Sequence, residues 1–309
     1  MPVRSIIVTG SDGPVGRRVV AALAAEPDVR IVTSAASADT IVVLQADDID
    51  AVRGALAAAD GARPDLVVLS SATVYGAWPD NPVPLTEDAA LRPNPGVTDA
   101  VVLAEVERLA NAWAAARDGV RVAILRAAPI VGPGIDSWLV RALSRRPLLR
   151  TARADRDRQF VHADDVASAV VLAVRSRLDG AFNVAPLGAV SSDVLRGLGP
   201  WQPSITVPAR LGPVAARWAW ALHLSAVPPS SLALVEDPWI VAGDRLRALG
   251  WSPRHTSEEA LVAGRPPSRW REMSPGRRQS VALAASAAAV VATGAGVAAA
   301  VRRARRRRR

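Results

Sequence analysis

A short β-rich run, Ser5–Thr9, passes into Gly10-Ser11-Asp12-Gly13-Pro14-Val15-Gly16, and an alanine- and leucine-rich helical stretch, Arg17–Ala25, follows at once. Strand, glycine turn and helix in immediate succession leave few folds open to a chain. Gly10 suits the tight turn, Gly13 lets a backbone approach a pyrophosphate, and Gly16 lets the helix pack closely on the strand. The helix N-terminus turns free N–H groups and a positive dipole end towards such an anion. Pro14 fits the first helical turn, where no N–H is missed. The candidate dinucleotide contacts in this loop are Gly10, Ser11, Gly13, Pro14, Val15 and Gly16. Asp12 adds negative charge beside them unless its side chain caps the helix.

Strand and helix signals then alternate. Strands are predicted at Val29–Thr33, Thr40–Leu44, Asp65–Leu69, Val120–Leu125 and Gly180–Val184, and helices at Asp50–Ala59, Val101–Ala116 and Ala163–Val174. The long helix carries Val102, Leu103, Val106, Leu109 and Ala110 near helical spacing. Asp164 and Asp165 sit in the first turn of the later one, where the dipole favours negative charge. This alternation predicts an α/β fold, a Rossmann-type doubly wound parallel sheet. Residues 200–272 are richer in proline and tryptophan and read as a small C-terminal lobe. The expected organisation is a core over 1–199, the lobe over 200–272, and a tail over 273–309. At the end of the second strand an NAD site usually has an acid for the ribose. Here Thr33, Ser34 and Ala35 stand there and no arginine follows, so neither NAD nor NADP is favoured.

Composition removes several chemistries. The absence of cysteine excludes disulfides, thiol nucleophiles and thiolate metal sites. His162, His223 and His255 are far apart in sequence and none has a second ligand at metal spacing, so no metal site is expected. There is no lysine, and Tyr75 is the single tyrosine. Net charge is +9, but residues 302–309 hold seven arginines, which leaves 9 − 7 = +2 for the rest. A nearly neutral body makes nucleic acid an unlikely partner. Met1–Arg4 leads into an apolar run too short for a signal sequence, which predicts a cytoplasmic domain.

Val281–Val301 is 21 residues without a charge, flanked by Arg277-Arg278 and the arginine cluster. As a helix it would span about 31 Å, enough for a bilayer core. Eleven of the 21 are alanine, which contributes little to insertion. A span, a peripheral helix on anionic lipid, and a partner-binding or nucleic-acid tail are the open readings. The expectation is a C-terminal apolar helix that brings the domain to a membrane through residues 281–309.

Several motifs in order resemble the extended short-chain dehydrogenase/reductases of the NAD-dependent epimerase/dehydratase type. They are the glycine loop, Leu44-Gln45-Ala46, Ser70-Ser71-Ala72-Thr73-Val74-Tyr75-Gly76, Pro84–Glu87, Leu125–Gly134, Arg158–Val166, Gly180–Ala185 and Leu249–Pro253. The resemblance covers roughly residues 3–262. It implies an NAD or NADP cofactor touched by the loop and by Thr33, Leu44, Gln45, Ala46 and Ser70. It also puts Ser71 on the active-site serine and gives Tyr75 a structural role. In that family a Tyr-x-x-x-Lys pair handles the proton and the nicotinamide ribose. The same resemblance puts Asp99 at the tyrosine position and Leu103 at the lysine position, and neither can do the work of the residue it replaces. A segment carrying an adenine-contacting strand is missing before Thr40.

The first expectation is therefore an NAD(P)-binding protein without the standard Tyr-Lys chemistry, directed to a membrane by its tail. Two others stand beside it. One is an active oxidoreductase or epimerase on a nucleotide-sugar or other carbonyl or hydroxyl substrate, with Ser71 orienting substrate and Asp99 as base. The other is a cofactor-free scaffold for an unknown small molecule or protein.

Overall fold

In the computed structural model the described residues are 3–264, apart from 60, 62, 145–148, 152, 154–155, 199–204, 224 and 226. The chain divides into two compact units, Met1–Arg265 and Pro266–Arg309, and the description that follows concerns the first. Its elements run β1 (Arg4–Thr9), α1 (Pro14–Ala24), β2 (Val29–Ile31), β3 (Thr40–Val43), α2 (Ile49–Ala58), β4 (Asp65–Ser71), α3 (Thr98–Ala115) and β5 (Val122–Ala127). After these come β6 (Ile130–Val131), α4 (Trp138–Ser144), β7 (Leu149–Arg150), β8 (Val161–His162), α5 (Ala163–Arg175) and β9 (Gly180–Val184). The remainder is α6 (Ser192–Leu198), β10 (Ile205–Thr206), α7 (Gly212–Ala221), α8 (Leu232–Glu236), α9 (Asp244–Ala248) and α10 (Ser257–Ala263).

Six strands form one parallel sheet in the order β2-β1-β3-β4-β5-β9. The expected doubly wound Rossmann-type architecture is present. Strands β3, β4 and β5 are nearly continuous apolar runs because helices cover both faces. Their alternate residues supply two separate cores. Val42, Val67 and Leu125 pack on the face holding Val19 and Leu23 of α1 and Val166 and Val170 of α5. Ile41, Val43, Leu66, Val68 and Ile124 pack on the other, against Val52 and Leu56 of α2 and Val106 and Ala110 of α3.

The connection β1–α1–β2 runs to one side of β1, while β3 lies on its other side. The chain thus reverses direction across the sheet at β1, and a crevice opens at the strand ends there. Strand β2 is the sheet edge and is shorter than expected, with Arg30 and Ile31 exposed. Between it and β3 there is only a one-turn 3-10 helix, Ala35–Ser37, and among the described residues no further strand lies outside β2. Past β9, the C-terminal segments return to the sheet: Leu85 pairs with Val241, and α9 packs on β9.

The expected C-terminal apolar helix needs correction. Among the described residues no helix is long and apolar enough to cross a membrane. The 18-residue α3 has the length but carries Asp99, Glu105, Glu107 and Arg108. With this the membrane-directed tail, the transmembrane helix, contact with membrane or anionic lipid through 281–309, and membrane-associated localisation are withdrawn. Their weakness was physical, since an alanine-rich stretch gains little free energy on entering hydrocarbon. Residues 281–301 and the arginine cluster lie outside the described residues.

Leu125 is fully buried in the core that β5 shares with α5. Leu125→Ala is expected to lose about 2–5 kcal/mol of unfolding free energy, read by urea denaturation.

Candidate active site

At the C-terminal end of β1, Gly10 takes φ +73°, and a Cβ there would lie 2.7 Å from the Gln45 Cβ. Only glycine combines that conformation with that proximity. A Cβ on Gly16 would meet the Gly10 carbonyl oxygen at 2.4 Å, so this glycine lets α1 sit against its own entry loop. Gly13 differs: it caps α1 with ordinary backbone angles, and a Cβ on it would meet nothing within 4 Å. The space over Gly13 is open, and the first-turn N–H groups of Val15 and Gly16 have no carbonyl partner within the helix. An anionic group fits that cradle. Asp12 does not cap the helix; its backbone carbonyl accepts from Arg17.

Gln45 and Ala46 follow β3 directly below Gly10, so the structure brings the loop and the Leu44–Ala46 segment together. Leu44 is partly buried against the core, and its N–H donates to the Thr9 carbonyl. Thr33 and Ser34 lie exposed beyond β2, with no carboxylate in the same segment.

Ser70 and Ser71 end β4 and point to different tasks. Ser70 Oγ is buried and donates to Glu107 Oε1 at 2.5 Å. Ser71 begins the one-turn 3-10 helix Ala72–Tyr75, where its Oγ accepts from the Thr73 N–H at 3.2 Å and the Thr73 hydroxyl at 3.0 Å. Asp99 is exposed in the first turn of α3. Leu103 is partly buried and packs on both cores. The α3 helix packs on the 3-10 turn, so Ser71 and Asp99 face the same end of the sheet.

A buried polar network beneath this end was missed by sequence reasoning. Arg126 of β5 donates to both carboxylate oxygens of Glu107 at 2.8–3.3 Å and to the Tyr75 hydroxyl at 2.8 Å. Tyr75 in turn donates to Asn183 Oδ1 at 2.8 Å, and the Asn183 amide donates to the Leu85 and Ala242 carbonyls. Burial pushes the Tyr75 phenol above its ordinary value of 10.0, against the pull of Arg126. Held this way, the chain's single phenol has no path to a substrate.

Between the ends of β4 and β5 and the C-terminal segments lies a small cleft. Ala72, Ala128 and Pro129 form its floor, and Asp157, Trp239 and Ile240 are among its walls. His162 caps α5 nearby: its Nδ1 accepts from the Asp164 N–H, and its ring lies 4.0 Å from that of His255. Asp165, fully buried, accepts from the Arg254 and His255 N–H groups and contacts the His255 ring nitrogen at 2.9 Å.

Residues 35–185 match the model of the NAD dependent epimerase/dehydratase family. That segment, just under half of the chain, is similar to that family. It begins after the glycine loop, whose reading therefore rests on the geometry above. A 3-diazoavenalumate denitrifying reductase of a Streptomyces species is 28% identical, over 82% of this chain and 97% of that protein. An uncharacterized protein of Mycobacterium tuberculosis is 28% identical over 63% of this chain, which spans about half of that relative (52%). Among solved structures, RMD from Pseudomonas aeruginosa complexed with NADPH superposes with a TM-score of 0.59 at 19% identity, covering 84% of this chain and 98% of that one. UDP-glucuronic acid 4-epimerase from Bacillus cereus, in complex with UDP-glucuronic acid and NAD, gives 0.59 at 15% identity, covering 84% and 97%. At these identities the likeness is one of fold.

Two outcomes are expected. Glu107→Ala, which leaves Arg126 buried without its carboxylate, should cost about 3–5 kcal/mol in urea unfolding, and Glu107→Leu with Arg126→Met should recover part of it. The His162 pKa is held below its ordinary 6.5, first by burial and then by His255. The neutral ring is the form the fold favours, so its contribution is complete above pH 6.5 and is lost as pH falls through the depressed value. Thermal midpoints measured from neutral to acid pH should fall more steeply for the natural protein than for His162→Asn.

Proposed function

We propose that this chain is an NAD(P)-dependent oxidoreductase or epimerase that works without a Tyr-x-x-x-Lys pair. The observation that carries it is the glycine cradle at the point where the sheet reverses direction, with Gly13 opening onto free space. Gly10–Gly16 would hold the pyrophosphate, and Gln45 and Ala46 flank it. When bound, the cofactor supplies hydride chemistry. The cofactor is NAD or NADP, as the neutral Thr33-Ser34 end selects against neither.

Similarity to a reductase over 97% of that relative's length supports redox turnover over a purely binding role. Ser71, at the end of β4, is the residue we assign to orienting a substrate. Asp99 occupies the place of the family's tyrosine and Leu103 that of its lysine. Their side chains offer neither a phenol nor a fixed cation, so the chemistry rests on orientation and on hydride transfer.

Calorimetric titration of the full chain with NAD⁺, NADH, NADP⁺ and NADPH tests this reading. Saturable binding of one redox pair is expected. Gly13→Val should weaken it about tenfold or more while the thermal midpoint stays put, because the added side chain enters only open space. Binding that ignores Gly13→Val, or no binding of any of the four, would sink the proposal.

A further inference from the structure

A dinucleotide that lies across the point where a doubly wound sheet reverses puts one mononucleotide on each side of the glycine loop. The two sides are built very differently in this chain. Towards β4 and β5 the strand ends are closed, with Ser70, Ala72, Ala127 and Ala128 all buried. Towards β2 they are open. The common strand order of such sheets continues outward, with a third strand beyond the second. Here β2 is the edge, it is three residues long, and it pairs with β1 alone. Residues 32–39, which lead from β2 back to β3, lie wholly within the described residues and hold only the one-turn 3-10 helix. Thr33, Ser34, Ala36 and Ser37 are exposed along that run.

The side chains on this side are as revealing as the backbone. The run from Val29 to Arg53 contains no aromatic residue on which a base could stack. Its Asp39 carboxylate is committed to the Ser5 N–H, near the opposite end of β1. An arginine could cover a base face instead, yet the arginines of the flanking elements are turned elsewhere. Arg30 donates to Ser5 Oγ at 3.0 Å, and Arg53 pairs with Asp50 on its own helix. Arg17 donates to the Asp12 carbonyl, and Arg18 reaches the Pro133 carbonyl and Asp164. Gln45 lies under Gly10 and so flanks the pyrophosphate rather than the base.

We infer that this chain holds a nicotinamide dinucleotide by its pyrophosphate and its nicotinamide half, and leaves the second base in solvent, unread. This rests on the oxidoreductase reading and names the class of cofactor it admits: nicotinamide dinucleotides whose second base need not be adenine. A site that hydrogen-bonds a base edge is left with unpaired buried groups when that edge changes, and rejects the wrong base for that reason. A base that stays in water loses nothing by the same change.

Calorimetry of the full chain with NAD⁺, nicotinamide hypoxanthine dinucleotide, nicotinamide guanine dinucleotide and etheno-NAD⁺ tests this. Hypoxanthine exchanges the amino donor of adenine for a carbonyl acceptor, and the etheno bridge blocks the pairing edge altogether. All four should bind within about fivefold of one another, the equivalent of less than one net hydrogen bond. Where NADP⁺ binds more tightly than NAD⁺, the same bases are compared in the 2′-phosphorylated series. The etheno base is fluorescent and gives a second readout: in the complex, acrylamide should quench it nearly as it quenches free etheno-AMP. A larger loss with any altered base, or a bound etheno base shut off from acrylamide, overturns the inference and leaves the oxidoreductase reading standing. No binding in either series overturns that reading and this inference with it.

Discussion

Five segments of this protein meet at one buried ion pair. Glu107 comes from α3, Arg126 from β5, Ser70 from β4, Tyr75 from the 3-10 turn and Asn183 from β9. Placing a carboxylate and a guanidinium in a protein interior costs several kcal/mol per ion unless geometry and further hydrogen bonds compensate. Here they do: both Glu107 oxygens accept, and Arg126 also reaches the Tyr75 hydroxyl and the Glu87 carbonyl. A network of this kind is satisfied in one arrangement, so it sets how α3 lies against β4 and β5. That in turn places the first turn of α3 and the Ser71 turn at the same end of the sheet.

The same end of the sheet holds the glycine cradle and a cleft whose polar side chains are largely committed. The glycine cradle offers free N–H groups and open space over Gly13, which is what an anionic pyrophosphate requires. In the cleft beyond β4 and β5 the Arg158 guanidinium is turned to backbone carbonyls.

Much of the architecture was legible in the residues. Val42, Val67 and Ile124 sit in apolar runs between glycine and helical signals, and those runs became the central strands. Boundaries were less legible. Strand β5 begins at Val122 rather than Val120 and continues to Ala127, because its end is fixed by pairing with β4 and β9, not by local preference. Strand β2 stops at Ile31, since at the sheet edge only β1 pairs with it. The polar network was invisible for a similar reason. Glu107 reads as an ordinary helix-surface acid until Arg126, 19 residues later, is brought against it.

By itself the sequence determined the order of strands and helices, the loop that only glycine can build at Gly10 and Gly16, and the absence of lysine and thiol chemistry. These are local or compositional properties, set by steric limits on a few adjacent residues or by what side chains exist at all. Tertiary structure alone decided which polar groups are consumed and which are left over. It locked Tyr75 away, turned Ser70 to Glu107 and tied Arg158 to carbonyls. Whether a charge is spent or available depends on partners distant in the chain, and only folding brings those partners within hydrogen-bond reach.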